Sequence, residues 1–321
     1  MSEPAPDVTV IVPVVERPTS LTALYREFAG PLRQAGRSFE FLFISYPWFR
    51  RLTDPLGELA AQGEPIRLME VMQGVGETAL LKLAAASARG TVLVTLPAYL
   101  QTEASAIPAL LARVEAGADL AVAWRWPRRD SLINRLQNRV LHLFVGGISG
   151  GRLHDVACGV RAMRREVVQE VPLYGEFARF LPVLAMREGF AVEEVQCPVH
   201  PGAMRSRLYG PGVYLRRLID VVGLLFLVKF TEKPLRFFGL IGSLLVALGA
   251  VILVVIFFQR LAGQGLADRP MLLLGVLFMV LGIQAVALGL IGEMIVHLTA
   301  SQRQRYRIRT PRGLPSRSEA A

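Results

Sequence analysis

The sequence predicts an α/β domain with a mostly parallel sheet, followed by an interfacial helix and a two-helix transmembrane hairpin. Apolar β-rich runs alternate with helical segments over residues 8–125, as in a parallel sheet covered on both faces. Two later runs, 237–258 and 271–292, are each 22 residues long and carry no formal charge. Each is longer than the roughly 20 residues that a helix needs to cross a bilayer. The predicted domains are 1–210, the amphipathic helix 211–234, the hairpin 235–298 and a basic tail 299–321.

The elements of the α/β domain follow one another in a regular order. Strands are predicted over 8–14, 39–45, 66–72, 91–97 and 120–125. Helices are predicted over about 19–35, 77–88 and 105–117, the first with Thr19 as its possible N-cap. Ligands of such sheets bind at the carboxyl ends of the strands. The residues that follow each strand are therefore the candidates for a functional site.

The positive charge of the chain is concentrated beside the apolar runs. The net charge is +10, and residues 201–236 hold seven basic against two acidic residues, while 301–321 hold six against one. These two segments account for the whole excess, which argues against a nucleic-acid-binding domain. The 52% hydrophobic content excludes a disordered chain. The only cysteines, Cys158 and Cys197, do not form a C-x-x-C pair, which excludes a zinc ribbon.

The flanking charges predict an orientation. Both ends of the hairpin are strongly basic, whereas the connecting loop has Arg260 and Arg269 against Asp268. The positive-inside rule places both termini and the α/β domain in the cytoplasm, in a multi-pass protein of the inner membrane. The N-terminus lacks the basic region of a signal peptide. Glu293, just after the second run, is interpreted as an interfacial residue more readily than as a functional one.

Four segments carry a family resemblance. They are VTVIVPVVERPTSL, QGVGETALLKLAAASARGTVLVTLPAYLQ, HDVACGVRAMRREVV and AMRSRLYGPGVYLRRLIDV. In this order, and with the hairpin and the RYRIR tail, they resemble the family-2 glycosyltransferases that act on polyprenyl-phosphate lipids, such as dolichyl-phosphate mannose synthases. The resemblance implies a Rossmann-like GT-A domain that moves a sugar from a nucleotide sugar to polyprenyl phosphate. The implied partners are those two substrates and the membrane, without nucleic acid and with a possible homo-oligomer.

The acidic motifs of that family are replaced in this chain. The acidic turn after the second strand reads Ser45, Tyr46, Pro47 and Trp48, and the D-x-D position after the fourth strand reads Pro97, Ala98 and Tyr99. Divalent cations prefer carboxylate oxygens, so we expect no metal and no other cofactor. Two hypotheses remain. Arginines neutralise the donor diphosphate, or the domain has lost catalysis and binds a lipid-linked glycan or a partner enzyme.

The resemblance and the strand ends nominate individual residues, each with a structural alternative. Asp155 is the candidate catalytic base or acceptor-positioning group, or else a turn residue. The candidates for donor binding are Pro13, Glu16, Ser45, Tyr99, Gln101 and Arg125. The candidates for binding the acceptor phosphate are Arg161, Arg205, Ser206 and Arg207. Arg161 could instead form an ion pair, and the loop arginines could serve general attraction to lipid headgroups. Trp48, Trp124 and Trp126 could stack on a base or sugar, and Cys158 is interpreted as a packing residue.

Overall fold

A computed structural model of the chain has two compact units, an α/β domain and a helical hairpin. It describes residues 5–15, 20–127, 153–156, 158–173, 175, 177–203, 212, 223, 234–262 and 270–300. Four predicted site residues lie outside these ranges: Glu16, Arg205, Ser206 and Arg207. Nearly all of the predicted interfacial helix and the tail after residue 300 also lie outside them.

The α/β domain is built on one seven-stranded sheet with the order β3-β2-β1-β4-β6-β5-β7. The strands are β1 (Val8–Val14), β2 (Phe39–Ser45), β3 (Ile66–Glu70), β4 (Val92–Thr95), β5 (Leu120–Arg125), β6 (Arg161–Arg164) and β7 (Val192–Cys197). Only β6 runs antiparallel to its neighbours in this sheet. The mostly parallel sheet is therefore confirmed. The sequence analysis missed β6 and β7, whose sequences RAMR and VEEVQC contain charged residues instead of an apolar run.

Six helices of the described chain accompany this sheet. They are α1 (Leu21–Gln34), α2 (Arg50–Ala61), α3 (Glu77–Ser87), α4 (Ala106–Glu115), α5 (Arg165–Glu170) and α6 (Leu181–Arg187). The N-cap of α1 is Ser20, whose hydroxyl accepts a hydrogen bond from the Ala23 amide at 3.3 Å, so the prediction of Thr19 was wrong by one residue. Helix α2 was not predicted, because Pro55 lies within it and only Thr53 and Leu56 are buried.

The core lies on both sides of β1, every residue of which is buried. Phe41 and Phe43 of β2 pack beside it, and the Tyr25 ring of α1 meets Phe41 edge-on with centroids 4.9 Å apart. Burial of each such side chain contributes about 1.5–3 kcal/mol. This central, fully buried region provides a rigid support for the loops at the strand ends.

One buried carboxylate, Glu40, lies at the opposite edge of the sheet, away from those loops. Its oxygens accept hydrogen bonds from the Thr9 hydroxyl at 2.8 Å, the Arg67 guanidinium at 3.1 Å, and both the amide (2.8 Å) and guanidinium (3.0 Å) of Arg89. Burial alone would raise the pKa of Glu40, but these hydrogen bonds favour the charged form and lower it overall. The interaction therefore stabilises the fold only while Glu40 is ionised.

We expect Glu40→Gln to make the protein less stable and less sensitive to acid. A carboxyl with a lowered pKa stabilises the folded state above its unfolded pKa, and this stabilisation is lost as the pH falls below about 4.3. The free energy of unfolding of the variant should be about 1–3 kcal/mol lower than that of the wild type at pH 7. Between pH 7 and pH 4 it should decrease less than that of the wild type. Thermal unfolding of the detergent-purified protein measures both effects. Glu193→Gln, at an exposed ion pair with Arg113, is the control. Equal acid sensitivity in wild type and Glu40→Gln would contradict the assignment.

The second unit is a hairpin of two long apolar helices, α7 (Pro234–Leu261) and α8 (Pro270–Ala300). With 28 and 31 residues, each is long and apolar enough to cross a membrane. Glycines line their contact: a Cβ on Gly242 would lie 2.6 Å from the Gly282 carbonyl oxygen, and one on Gly249 would lie 2.7 Å from that of Gly275. The helices therefore meet backbone to backbone, as small residues permit in membranes.

Glu293 has a structural partner inside this hairpin. Its carboxylate accepts a hydrogen bond from the Leu235 amide at 3.3 Å, in the first turn of α7. Amide groups in the first turn of a helix lack partners within the helix and favour a negative charge. The contact gives Glu293 a structural role within the hairpin, and its position at the membrane interface stays a prediction.

Candidate active site at the carboxyl edge of the sheet

The predicted site residues within the described ranges lie at what we call the carboxyl edge, where the parallel strands end. Because β6 is antiparallel, its amino end lies at this same edge, with Arg161 paired to Thr95 of β4 and to Val122 of β5. The Thr95 hydroxyl donates to the Gly159 carbonyl at 2.9 Å. Segment 153–160, which is described except for residue 157 and overlaps the HDVACGVRAMRREVV stretch, is thereby placed across the ends of β4 and β5.

A buried amide, Gln101, joins this segment to the loop after β4. Its Oε1 accepts from the Gly159 amide at 2.9 Å and from the Cys158 thiol at 3.4 Å, while its Nε2 donates to the Tyr99 hydroxyl at 2.8 Å. Its side chain is buried, whereas Tyr99 is 37% exposed. Both residues are among the six predicted to bind the donor. Tyr99 is accessible, whereas Gln101 supports the loops.

Arg125 and Asp155 form a two-pronged ion pair at the end of β5. Arg125 Nε lies 2.6 Å from Asp155 Oδ2, and Nη2 lies 3.0 Å from Oδ1. The Asp155 side chain is fully buried, and that of Arg125 is 20% exposed. Burial alone would lower the pKa of Arg125, but the hydrogen bonds and charge of Asp155 raise it, so the guanidinium stays charged. A buried carboxylate held by arginine is a poor proton acceptor. The contacts favour a positioning role for Asp155 over that of a base.

Arg161 is buried at the start of β6 and donates hydrogen bonds only to backbone carbonyls among the described residues. These belong to Cys158 (2.8 Å), Ala178 (2.7 Å), Arg179 (3.0 Å) and Val156 (3.4 Å). The guanidinium thus links segment 153–160 to the turn at 177–180 through these hydrogen bonds. We leave Arg161 out of the phosphate-binding set proposed below.

The strand ends do not fit the divalent cation that the family resemblance implies. Ser45 is buried at the end of β2, and after it the Tyr46 ring stacks on Trp48 with centroids 4.4 Å apart, its hydroxyl donating to the Val75 carbonyl. After β4, Ala98 is buried, and the Pro97 ring would lie 3.3 Å from a Cβ on Gly159. Within the described ranges, no cluster of three histidine, cysteine or acidic side chains could hold a metal ion.

The tryptophans form two separate groups. Trp48 stacks on Tyr46 at the end of β2 and is 62% exposed, whereas Trp124 and Trp126 lie 5.7 Å apart at the end of β5. Three strands, β1, β4 and β6, separate these groups. Two aromatic surfaces therefore flank the carboxyl edge, one at each half of the sheet.

Two further predicted residues are part of the packed core. Pro13 lies inside β1 and is buried. Cys158 is fully buried, and this burial raises the pKa of its thiol to about 11. The thiol is therefore protonated at neutral pH, in agreement with its interpretation as a packing residue.

The sequence analysis missed His154 and Glu194. Both oxygens of the Glu194 carboxylate accept from the His154 amide at 2.7 and 2.8 Å, and one of them lies 2.9 Å from His154 Nδ1. The imidazole also stacks on Trp124, with centroids 4.3 Å apart and planes 15° apart. The only sequence signal was that His154 directly precedes Asp155. The strand that supplies Glu194 was itself not predicted.

Comparison with solved structures defines the class of this fold. Glucosyl-3-phosphoglycerate synthase of Mycobacterium tuberculosis, solved with Mn²⁺, uridine-diphosphate-glucose and phosphoglyceric acid, superposes with a TM-score of 0.54 at 14% identity, over 69% of this chain and 79% of its own. The fold is that of the GT-A glycosyltransferases.

Sequence relatives narrow the class to a family. The undecaprenyl-phosphate 4-deoxy-4-formamido-L-arabinose transferase of Pseudomonas paraeruginosa is 31% identical, over 96% of this chain and 91% of its own. The dodecaprenyl-phosphate galacturonate synthase of Rhizobium johnstonii is 26% identical, over 90% of this chain and 87% of its own. No family model matches the chain. The chain belongs to the polyprenyl-phosphate glycosyltransferases.

Proposed function

We propose that this protein transfers a sugar from a nucleotide sugar to a polyprenyl phosphate at the cytoplasmic face of the membrane. The observation that carries the proposal is the match to an undecaprenyl-phosphate sugar transferase over 96% of the chain at 31% identity. The match is long enough to include both the α/β domain and the apolar hairpin. An enzyme that acts on a lipid phosphate needs both parts, because its acceptor head lies at the membrane surface.

The reaction places two anions in one site, so the site must supply positive charge. An oxygen of the acceptor phosphate attacks the anomeric carbon, and the bond from that carbon to the nucleotide diphosphate breaks, with inversion. A phosphate monoester has its second pKa near about 6, so the acceptor is largely a dianion at pH 7 and needs little help from a base. Arg125 can supply charge directly, because Asp155 engages only two of its five N–H groups.

The donor and the acceptor are assigned to different parts of the edge. Trp48 is exposed and stacks on the buried Tyr46 where the resemblance implies nucleotide-binding residues. We assign the base of the donor to Trp48, beside Ser45, Glu16 and Tyr99. We assign the acceptor phosphate to Arg205, Ser206 and Arg207. The support is the last described segment before them: the His200 amide donates to the Gln101 carbonyl at 3.3 Å, and residues 200–203 form a turn in which the Ala203 amide donates to the His200 carbonyl at 2.8 Å.

We expect the purified protein to transfer labelled sugar from at least one member of a nucleotide-sugar panel to undecaprenyl phosphate, and to do so equally with and without EDTA. The physical reason is that Pro97, Ala98 and Tyr99 offer no carboxylate for a divalent ion. Thin-layer separation of the lipid product measures transfer. A relative with intact D-x-D carboxylates, assayed in parallel, should lose activity in EDTA. Abolition of this protein's activity by EDTA would show that other carboxylates bind a metal ion.

The alternative function is binding without catalysis, and the strand ends without carboxylates are the observation that favours it. In that case the domain retains the fold and a lipid-phosphate site but leaves the sugar donor bond intact. The same panel separates the two proposals. Binding of polyprenyl phosphate or a lipid-linked glycan, with no transfer from any donor, would support the alternative.

We propose that both termini face the cytoplasm and that only the loop after α7 crosses to the other side. The support is the basic flanks of the hairpin, with net charges of +5 on each side by formal count of 201–236 and 301–321. A phosphatase reporter should be active when inserted within 262–266 and inactive when fused after Ala321, with a fluorescent reporter giving the reverse result. A cytoplasmic 262–266 loop would contradict the hairpin as a membrane anchor.

A further inference from the structure

His154 is held in one orientation by two strands. The parallel register pairs Val122 with Glu194 and Trp124 with Gln196, so Trp124 and Glu194 project from the same face of the sheet. Glu194 binds both the backbone amide and the ring Nδ1 of His154, and Trp124 lies flat against the imidazole. Both the position of the main chain and the plane of the ring are thereby determined.

The contact with Glu194 determines which nitrogen of the His154 ring carries a proton. Glu194 is an acceptor, so Nδ1 carries a proton and donates it to that carboxylate. Nε2 is then the nitrogen left for another molecule: it accepts in the neutral ring and donates in the imidazolium. The side chain is 57% exposed, and no partner for Nε2 exists among the described residues.

The surrounding charges suit an anion at Nε2. Glu194 of β7 contacts Nδ1, and Asp155, the next residue along the chain, is paired with Arg125 of β5. Asp155 is already paired with arginine, and Glu194 stabilises the imidazolium from the opposite side of the ring. No carboxylate follows β2 or β4 in the turns where a metal would otherwise supply positive charge.

We propose that His154 Nε2 binds a phosphate oxygen of one of the two substrates and that Glu194 is its positioning residue; this inference rests on the proposed function. When the phosphate is the lipid monoester and arrives as the monoanion, its P–OH proton moves to Nε2, which gives an imidazolium paired with a phosphate dianion. The donor diphosphate carries no P–OH proton, so there the imidazolium donates a hydrogen bond to a phosphate oxygen. In both cases His154 forms no covalent bond. The shared chemistry is a phosphate oxygen, which belongs either to the donor diphosphate or to the lipid phosphate.

The test observes the ring directly. The full-length protein, labelled with ¹⁵N in its four histidines, is studied by NMR in detergent, with His154→Gln used to assign the His154 signals. Inorganic pyrophosphate represents the donor diphosphate, and farnesyl phosphate represents the lipid. We expect one probe to shift the His154 Nε2 signal. Glu194→Gln should weaken that probe's effect, and Glu193→Gln, one residue away at an exposed ion pair, should not.

Kinetics provide the second measurement. His154→Gln should raise KM for the substrate that it binds by about 10- to 100-fold and leave KM for the other substrate unchanged. A His154 signal that neither probe moves, together with wild-type KM values in His154→Gln, would overturn the inference while leaving the transferase function intact. A shifted signal in a protein without transfer would overturn only the proposed function.

Discussion

Removing the guanidinium of Arg125 should cost this protein its transferase activity. Arg125→Met eliminates a cation that stays charged at the carboxyl edge, where the departing diphosphate develops negative charge. Loss of a group that stabilises such charge lowers kcat by roughly 10²–10³-fold. Transfer of labelled sugar to undecaprenyl phosphate measures this loss. Arg113→Met, at an exposed ion pair with Glu193, should retain full activity. Wild-type transfer in Arg125→Met would contradict the role of Arg125.

Substitutions of Arg125 and Asp155 should have coupled effects on the free energy of unfolding. Asp155→Asn leaves Arg125 with a mostly buried charge and no counter-charge. Breaking a fully buried pair costs about 3–5 kcal/mol, and because Arg125 is 20% exposed, we expect a loss at the lower end of that range. In the double variant Arg125→Met/Asp155→Asn the losses should not add, with a coupling of about 0.5–3 kcal/mol. The exposed Arg113 and Glu193 pair provides the matched cycle, with a coupling near zero. Additive losses at Arg125 and Asp155 would contradict the bidentate contact.

Replacing arginine by lysine in the basic loop should weaken binding of the lipid phosphate. Charge-assisted contacts contribute about 1.5–3 kcal/mol each, so Arg205→Lys and Arg207→Lys should each weaken binding of a short-chain polyprenyl phosphate by about 10- to 100-fold. The reason is geometry: a guanidinium can bind two phosphate oxygens at once, whereas an ammonium is a point charge. Binding is measured in detergent, where attraction to a bilayer surface is absent.

The control for this prediction is an arginine-to-lysine substitution outside the loop. Arg309→Lys, in the basic tail, should bind the lipid phosphate like the wild type. General attraction to headgroups contributes about 1 kcal/mol per charge and falls with salt, and lysine satisfies it as well as arginine does. Unchanged affinity in both loop variants would reduce the loop to a surface anchor.

Several elements could be predicted from the sequence because each carries its own local signal. Strands β1, β2, β4 and β5 are apolar runs, and such runs are buried wherever a sheet is covered on both faces. The hairpin helices could also be predicted, since few structures other than a membrane-spanning helix accommodate a charge-free run of 22 residues. The absence of carboxylates after β2 and β4 is likewise a property of the sequence alone.

The roles of the site residues depended on contacts between distant segments. Gln101 and Arg161 are residue types that often bind ligands, yet their polar atoms are used inside the protein. Gln101 bonds to the Gly159 amide, the Cys158 thiol and the Tyr99 hydroxyl. Arg161 bonds to backbone carbonyls of segment 153–160 and of residues 178–179. Glu194 orients His154 across 40 positions of the chain, on a strand whose charged sequence gives no strand signal. Residue type and spacing thus determined the fold class and the hairpin, and they predict that no metal ion binds after β4, because Pro97, Ala98 and Tyr99 have no carboxylate. Only the tertiary structure decided which polar groups are used internally, because a hydrogen bond depends on which distant atoms folding brings within about 3 Å.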